Sequence, residues 1–476
     1  MVTRYEQVAG EFSTLISSGV LRPGDRMPSV RKASLQYQVN CGTILQAYGQ
    51  LEARGLINAR PRSGYYVRAR ETAWAPEPVI SSPGPGRRRV DVADLVFEVL
   101  ASIKDRTIVP LGSPFPSPKL FPLEKLNKIA AATARSLSTW SSIDDFTPGN
   151  AELRRLIGLR YLESGLAVSA DDIVITSGGV EAINLCLQAV TRAGDTIAIE
   201  SPTFYTTLMA IERLGLKAVE IATHPREGID LSSLRAALDR YDIKACIFNP
   251  TFHNPLGSCM PDDSKHELVD LLAQYNVPLV EDDVFAELYF GVSRPRPAKS
   301  FDRQGLVLHC GSFGKCLAPG YRVGWAAPGR FRDSVERLKF MTTLTTASLP
   351  QATIAAYLKH GGFERHLRGL RHNLSVQLQQ IREALASYFP AGCRATRPEG
   401  GCMLWIELPR GVDALRMHQL ALEKRISVAP GPIFSAQRSY SNFIRVNFAH
   451  PWSETMDNAV KTLGALTAEL MRPGNV

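Results

Sequence analysis

Six short apolar runs constrain this chain more than any other feature of its 476 residues. They are DIVIT (172–176), DTIAIE (195–200), KAVEI (217–221), KACIFN (244–249), VPLVED (277–282) and LVLHC (306–310). Each has the length and aliphatic character of a strand, and helical stretches such as VEAINLCLQAV separate several of them. Strands alternating with helices predict an α/β domain with a largely parallel sheet. In such sheets, ligands gather beyond the carboxyl ends of the strands.

The residues that follow these runs are suited to chemistry. Ser177-Gly178-Gly179 comes after the first run and just before a helix. Small residues there leave backbone N–H groups open to an anion, which makes a phosphate seat. Phe204 follows the second run, Asn254 sits in a proline-bounded turn after the fourth, and Asp282 ends the fifth. After the sixth comes GSFGKCLAPGYRVGW, with Ser312, Lys315 and Arg322. A lone lysine among small residues, ahead of a Pro-Gly turn, suits a group that must reach a bound cofactor. Each motif alone also has a structural reading: a buried acid pair, a core phenylalanine, a turn asparagine. Together and in this order they suit pyridoxal 5′-phosphate. The lysine forms a Schiff base with the aldehyde, and a carboxylate keeps the pyridine nitrogen protonated, so that the ring acts as an electron sink. An aromatic ring stacks on the pyridine, and an amide donates to the phenolic oxygen. Hydroxyl, arginine and helix N–H groups hold the phosphate.

The first seventy residues read differently. Val8, Phe12, Leu15 and Ile16 recur at helical spacing over 3–18. A turn-rich stretch follows, then a short helix opened by Pro28 and running to about Tyr37. A third helix covers roughly 41–54 and is closed by Gly55. LINAR and GYYVR, joined by PRSG, predict a β-hairpin. Helix, helix, turn, helix and hairpin make a winged helix-turn-helix, with the third helix entering the major groove and the hairpin as wing. Arg26, Arg31, Lys32, Arg60 and Arg62 are the expected phosphate contacts, and Asn40 and Thr43 the hydrogen-bonding groups at the start of the recognition helix. Gly64 lets the wing backbone approach the sugar-phosphate chain.

The charge distribution agrees with this division. The net charge is +9, and residues 1–89 hold 13 Lys/Arg against 6 Asp/Glu, a net of +7. A basic module on a near-neutral body implies a polyanion partner, double-stranded DNA, for that module. Residues 71–90, rich in proline and glycine and ending in Arg87-Arg88-Arg89, have the composition of a stiff linker with little apolar surface to bury. DVADLVFEVLASI (91–103) reads as the helix that opens the large domain. No apolar run is long enough to span a bilayer, and the polar N-terminus is no secretory signal. Eight cysteines without a CxxC pair predict a reducing cytoplasm, with neither a metal site nor a disulfide framework.

PGDRMPSVR and AYGQLEARGLINARPRSGYYV closely resemble the DNA-binding domain of the GntR regulator family over residues 3–68. One departure is at the start of the recognition helix, where Cys41 and Gly42 offer little to a base edge. FNPTFHNPLG, VEDDVFAELYFG and GSFGKCLAPGYRVGW resemble, in order, the signatures of fold-type I aminotransferases of class I/II over residues 105 to 470. This resemblance implies that Lys315 is the Schiff-base lysine, Asp282 the pyridine partner, Asn254 the donor to the phenolic oxygen and Phe204 the stacking ring. It assigns the phosphate to Ser177, Gly178, Gly179, Ser312 and Arg322, and the α-carboxylate of a substrate or effector to Arg445 in NFIRVNFAH. Two residues depart from the pattern: Phe285 stands where a tyrosine is usual, and Gly314 where a serine is usual.

The whole chain resembles the MocR regulators: a winged helix at 1–70, a linker at 71–90 and an aminotransferase-like domain at 91–476, whose smaller C-terminal α+β part starts near 350. The resemblance implies a homodimer that exchanges its DNA-binding heads. It also implies sensing of an amino acid, an amine or a cofactor vitamer through an external aldimine formed in place of Lys315. Two other readings stand beside this regulator. One is a working aminotransferase in which Lys315 moves the proton; the other is a first domain that serves assembly alone.

Overall fold

The computed structural model describes residues 3–17, 20–22, 24–53, 56–60, 63–67, 75–101, 105–140, 146–360 and 362–472, without the side chains of Ser17, Ala53 and Arg60. The chain divides into two compact units, Met1–Trp74 and Ala75–Val476.

The first unit holds α1 (Arg4–Ser17), α2 (Val30–Tyr37), α3 (Cys41–Ala53) and an antiparallel hairpin of β1 (Ile57–Arg60) and β2 (Gly64–Val67). The apolar periodicity of its helices becomes the core: Val8, Phe12, Ile44, Tyr48, Leu51 and Val67 are buried. Tyr48 takes the edges of Phe12 and Tyr65 at 5.5 and 5.0 Å between ring centroids, and its hydroxyl donates to the Pro28 carbonyl at 2.8 Å. Pro28 does not open α2, as the sequence suggested. Ser29 is the N-cap, its Oγ accepting from the Lys32 N–H at 3.2 Å. A side-chain oxygen satisfies an orphan N–H, which proline has no means to do. Gly64 has φ 100°, a left-handed value that glycine adopts without strain. Gly55 and Arg62 lie outside the described residues, as does the Arg60 side chain.

The large unit is built on one mixed sheet. Its strands are β3 (Arg88–Arg89), β4 (Val174–Thr176), β5 (Thr196–Ser201), β6 (Lys217–His224), β7 (Gly228–Ile229), β8 (Ile243–Phe248), β9 (Leu279–Asp282), β10 (Val307–Ser312) and β11 (Gly324–Ala327). The order is β3-β6-β5-β8-β9-β10-β11-β4, with β7 paired to β6. All six apolar runs are strands, and β6, β5, β8, β9 and β10 pair in parallel. The sequence did not reveal β11, which lies antiparallel between β10 and β4. Its four residues, GWAA, are too short and glycine-rich to read as a strand. Yet Gly324 belongs there, because a Cβ on it would lie 2.6 Å from the Gly178 carbonyl carbon. A second, antiparallel sheet follows in the order β12 (Arg394–Ala395), β13 (Met403–Glu407), β15 (Phe443–Asn447), β14 (Ala429–Pro430). Leu374, Leu378 and Ile381 of the long helix Gly362–Tyr388 and Val460 and Leu463 of the helix Glu454–Leu470 belong to one hydrophobic core with this sheet's Leu404 and Ile406. No helix among the described residues is long and apolar enough to cross a membrane.

The stretch expected to be a free linker is, from Ala75 onward, bonded to the large unit. Pro76 accepts from the Ala395 N–H at 3.0 Å. Glu77 pairs with Arg226. Ser81 exchanges bonds with Thr223 at 3.2 and 2.7 Å. Arg88 and Arg89 form β3 along β6. Proline-rich chain is extended, and its remaining N–H and C=O groups are free to join an open sheet edge. The expected helix is Ala93–Leu100, and the Glu212 carboxylate accepts from the Val92 and Ala93 N–H groups at 2.9 and 3.1 Å. A chain begun at Ala75 is expected to keep the melting point of the large unit. Begun at Asp91, it loses the bonds of Pro76, Glu77, Ser81 and β3, and the midpoint in a thermal scan drops by roughly 5 °C.

Candidate functional site

The site forms where β4, β5, β9 and β10 end. Gly178 is the N-cap of the helix Gly179–Val190, with φ 91° and no side-chain cap. A Cβ on Gly178 would lie 2.7 Å from Arg322 Nη2, and one on Gly179 would lie 2.8 Å from Val284 Cγ1. Two glycines thus let Arg322 and the β9 end close on a helix N-terminus. Arg322 is itself left-handed, φ 50°, and its Nη2 donates to the Ser177 carbonyl at 3.1 Å. Ser312 Oγ accepts from the Gly314 N–H at 3.0 Å. Gly179, Phe204, Asp282, Ser312, Lys315 and Arg322 line one cavity of about 240 Å³.

Lys315 Nζ donates to the Pro114 carbonyl at 2.8 Å and lies 4.0 Å from the centre of the Phe115 ring. Desolvation holds its pKa down to about 8; the Arg445 charge adds to the effect, and Cys402 and Asp282 oppose it. Asp282 goes the other way. Burial pushes it up to about 7, against the pull of the Val284 N–H on its Oδ1 at 3.3 Å. Both shifts disfavour the charged form, as removal from water does.

Asn254 and Arg445 are not in the wall of that cavity but form a buried, hydrogen-bonded pair. Arg445, on β15, donates to Asn254 Oδ1 at 3.2 Å and to the Gly112 carbonyl at 2.6 Å, among the rings of Phe434 and Tyr205. It is fully buried, and among the described residues no carboxylate pairs with it. The Asn254 Nδ2 is buried without a partner, and so is the Arg445 Nε. Asn249 joins this pair to the cavity: its Oδ1 accepts from the Asn254 N–H at 2.9 Å, and its Nδ2 donates to the Asp282 carbonyl. The Ser177 N–H donates to Glu181, so it is not among the N–H groups left open at this helix start.

Pro114, Phe115, Asn249 and Tyr205 were missed in the sequence. Tyr205 and Asn249 adjoin motifs that were read, but nothing in LGSPFP marks it as the partner of a lysine 200 residues on. The two departures acquire physical content. Phe285 is buried, its ring centre 5.6 Å from Lys315 Nζ, and carries no hydroxyl to donate. A Cβ on Gly314 would lie 3.2 Å from Ser312 Oγ, so a serine there would crowd the hydroxyl already present.

In the first unit Arg26, Arg31 and Lys32 are exposed. Asn40 Oδ1 accepts from the Thr43 N–H at 2.7 Å and from its hydroxyl at 3.0 Å. Asn40 therefore caps α3 through its side-chain oxygen.

Comparison with known proteins agrees with both units. Residues 119–463 match the family "Aminotransferase class I and II", and residues 4–67 match "Bacterial regulatory proteins, gntR family". The chain is 44% identical over 466 residues, 98% of its own length and 99% of the other, to the uncharacterized HTH-type transcriptional regulator YdcR of Escherichia coli (strain K12). It resembles the crystal structure of the Pyrococcus horikoshii kynurenine aminotransferase with TM-score 0.74 and 30% identity, covering 80% of this chain and 95% of that one. It also resembles the α-aminoadipate aminotransferase LysN of Thermus thermophilus, complexed with N-(5′-phosphopyridoxyl)-L-leucine, with TM-score 0.73 and 28% identity over 80% and 96% of the two chains. The chain belongs to the aminotransferase class I and II family and carries a GntR-type DNA-binding head, the organisation of the MocR-type regulators. This fold implies pyridoxal 5′-phosphate, and the residues fit it: a desolvated lysine, a buried amide nitrogen without a partner at Asn254 and a glycine cradle at a helix N-terminus.

Asp282 makes the cofactor-free chain sensitive to pH. Its folded pKa, about 7, lies above the ordinary 3.8, so the folded state binds the proton more tightly than the unfolded one. Stability then falls as pH rises from about 4 to about 7 and stays low above. Asp282→Asn should remove that slope and stabilise the cofactor-free chain by about 2–4 kcal/mol at pH 8, read by denaturant unfolding.

Proposed function

We propose that this protein is a transcription regulator whose aminotransferase-type unit holds pyridoxal 5′-phosphate on Lys315 and senses an amino acid. The observation that carries this reading is the fully buried Arg445 with no carboxylate partner among the described residues. A buried guanidinium is costly unless an anion meets it, and the α-carboxylate of an amino acid is such an anion, held by a planar pair of donors. The bound cofactor supplies an aldehyde and a ring that withdraws electrons. Asp282 holds the ring nitrogen, Asn254 Nδ2 donates to the phenolic oxygen, and Phe204 covers one ring face. Ser312, Arg322 and the N–H groups near Gly178 and Gly179 hold the phosphate. Lys315 would hold the cofactor's aldehyde, and Arg445 would place the effector's amino group beside it. The heads respond only insofar as the effector binds two arrangements of the protein unequally.

Self-association fits this reading. Phe340 and Met341 on the helix Arg332–Thr343 and Phe146, whose ring centre lies 6.3 Å from that of Phe340, are exposed apolar groups of the large unit. A second copy of the chain would cover such a face, and two heads would then read two half-sites. Enzymatic turnover is favoured by one observation, the Lys315 pKa of about 8, which leaves part of the amine neutral and able to move a proton.

A visible-spectrum titration with a panel of amino acids, alongside Lys315→Ala, tests the reading. A cofactor band that depends on Lys315, shifts with one amino acid and then persists supports the sensor. Bleaching that a keto acid reverses establishes transamination instead. A protein without a Lys315-dependent band defeats both. For the head, Arg31→Ala and Lys32→Ala should each weaken DNA binding at every sequence and lower the salt slope of log K by about 1, measured by fluorescence anisotropy.

A further inference from the structure

Glu181, partly buried, and Lys339, fully buried, make an ion pair that none of the roles above uses. Glu181 is the third residue of the helix Gly179–Val190. Its Oε2 accepts from the Ser177 N–H at 2.5 Å and from Lys339 Nζ at 2.8 Å, while its Oε1 is buried with no partner. Lys339, on the helix Arg332–Thr343, is 1% exposed and also donates to Thr343 and Thr346 hydroxyls at 2.8 and 3.0 Å. A glutamate at the third helical position ordinarily bonds back to the N-cap N–H. Here it reaches one residue further and holds the turn whose carbonyl accepts from Arg322.

We propose that Glu181 and Lys339 are positioning residues for the cofactor phosphate: Glu181 fixes the Ser177–Gly179 turn, and Lys339 cancels its charge so that the phosphate is not repelled. This rests on the cofactor reading above. The physical problem is competition. A carboxylate at a helix N-terminus gains from the same exposed N–H groups that bind a phosphate, and two anions there repel each other strongly when little water lies between them. With Lys339 in place the pair is neutral, so the turn is held without an opposing charge. Without it, the group that shapes the seat becomes the group that rejects the ligand.

The full-length chain is titrated with pyridoxal 5′-phosphate and with pyridoxal, which lacks the phosphate, by visible absorbance. The ratio of the two dissociation constants isolates the phosphate. Lys339→Met should reduce the wild-type preference for the phosphorylated form by about tenfold or more while pyridoxal binds nearly as before. Glu181→Gln/Lys339→Met should restore the preference to within about threefold, because the glutamine oxygen still accepts from Ser177 and carries no charge. An equal loss for both vitamers in Lys339→Met, as a general loosening of the fold would give, overturns the inference. So does a double variant no better than the single one. A wild-type chain that binds neither vitamer overturns the cofactor reading, and this inference with it.

Discussion

Desolvation of charge is the constraint on which the large unit turns. Asp282, Lys315 and Arg445 are all drawn from water, and none has a close ion-pair partner. Elsewhere the same unit pairs several of its buried charges, and holds others, such as Lys265 and Glu220, by hydrogen bonds to neutral groups. Arg294 meets Asp283 at 2.9 Å, Arg160 meets Glu287 at 2.9 Å, and His309 bridges Asp283 and Tyr161 at 2.9 and 2.7 Å. The contrast runs along a single strand end. Glu281 on β9 and Asp283 just after it sit in bonded networks, while Asp282 between them faces the cavity, as the alternation of an extended chain requires. Asp282 and Lys315 thus bring unpaired charge to a cavity where a ligand of complementary charge fits.

The parallel core was legible because its signal is local. Each of the five parallel strands, and β4 in the same sheet, announces itself in a run of five or six residues with an aliphatic centre, and the glycine turns and the lysine follow their ends. What was not legible depends on distance along the chain. Lys315 bonds to Pro114 across 201 positions, and Arg445 to Gly112 across 333. No periodicity reports such pairs. Composition also misled in one place. Proline and glycine between 75 and 90 mark extended chain correctly, but extended chain is also what an open strand edge recruits, and β3 is the result. In the head, the polarity of Asn40 and Thr43 also serves the start of α3, where the Asn40 oxygen caps the helix.

The docked segment bears on how a ligand and the head share one chain. Gln437 Nε2 donates both to Glu220 at 2.9 Å and to the Gly84 carbonyl at 3.2 Å, and Arg438 donates to the Asp91 carbonyl at 2.9 Å. The loop that carries them runs straight into β15, which holds Arg445. Its Phe434 carbonyl accepts from the Thr203 N–H at 2.8 Å, next to Phe204, and its Tyr440 hydroxyl bonds Ser201 at 2.8 Å. The residues assigned to the effector carboxylate and to the ring face are therefore bonded through one short loop to the segment that continues toward the N-terminal unit. Such a loop transmits nothing merely by lying between two sites. It does so if the ligand favours one of two loop arrangements, and the unpaired charge of Arg445 gives an anionic ligand a reason to do so, because the cost of burying that charge is met only when the ligand is present.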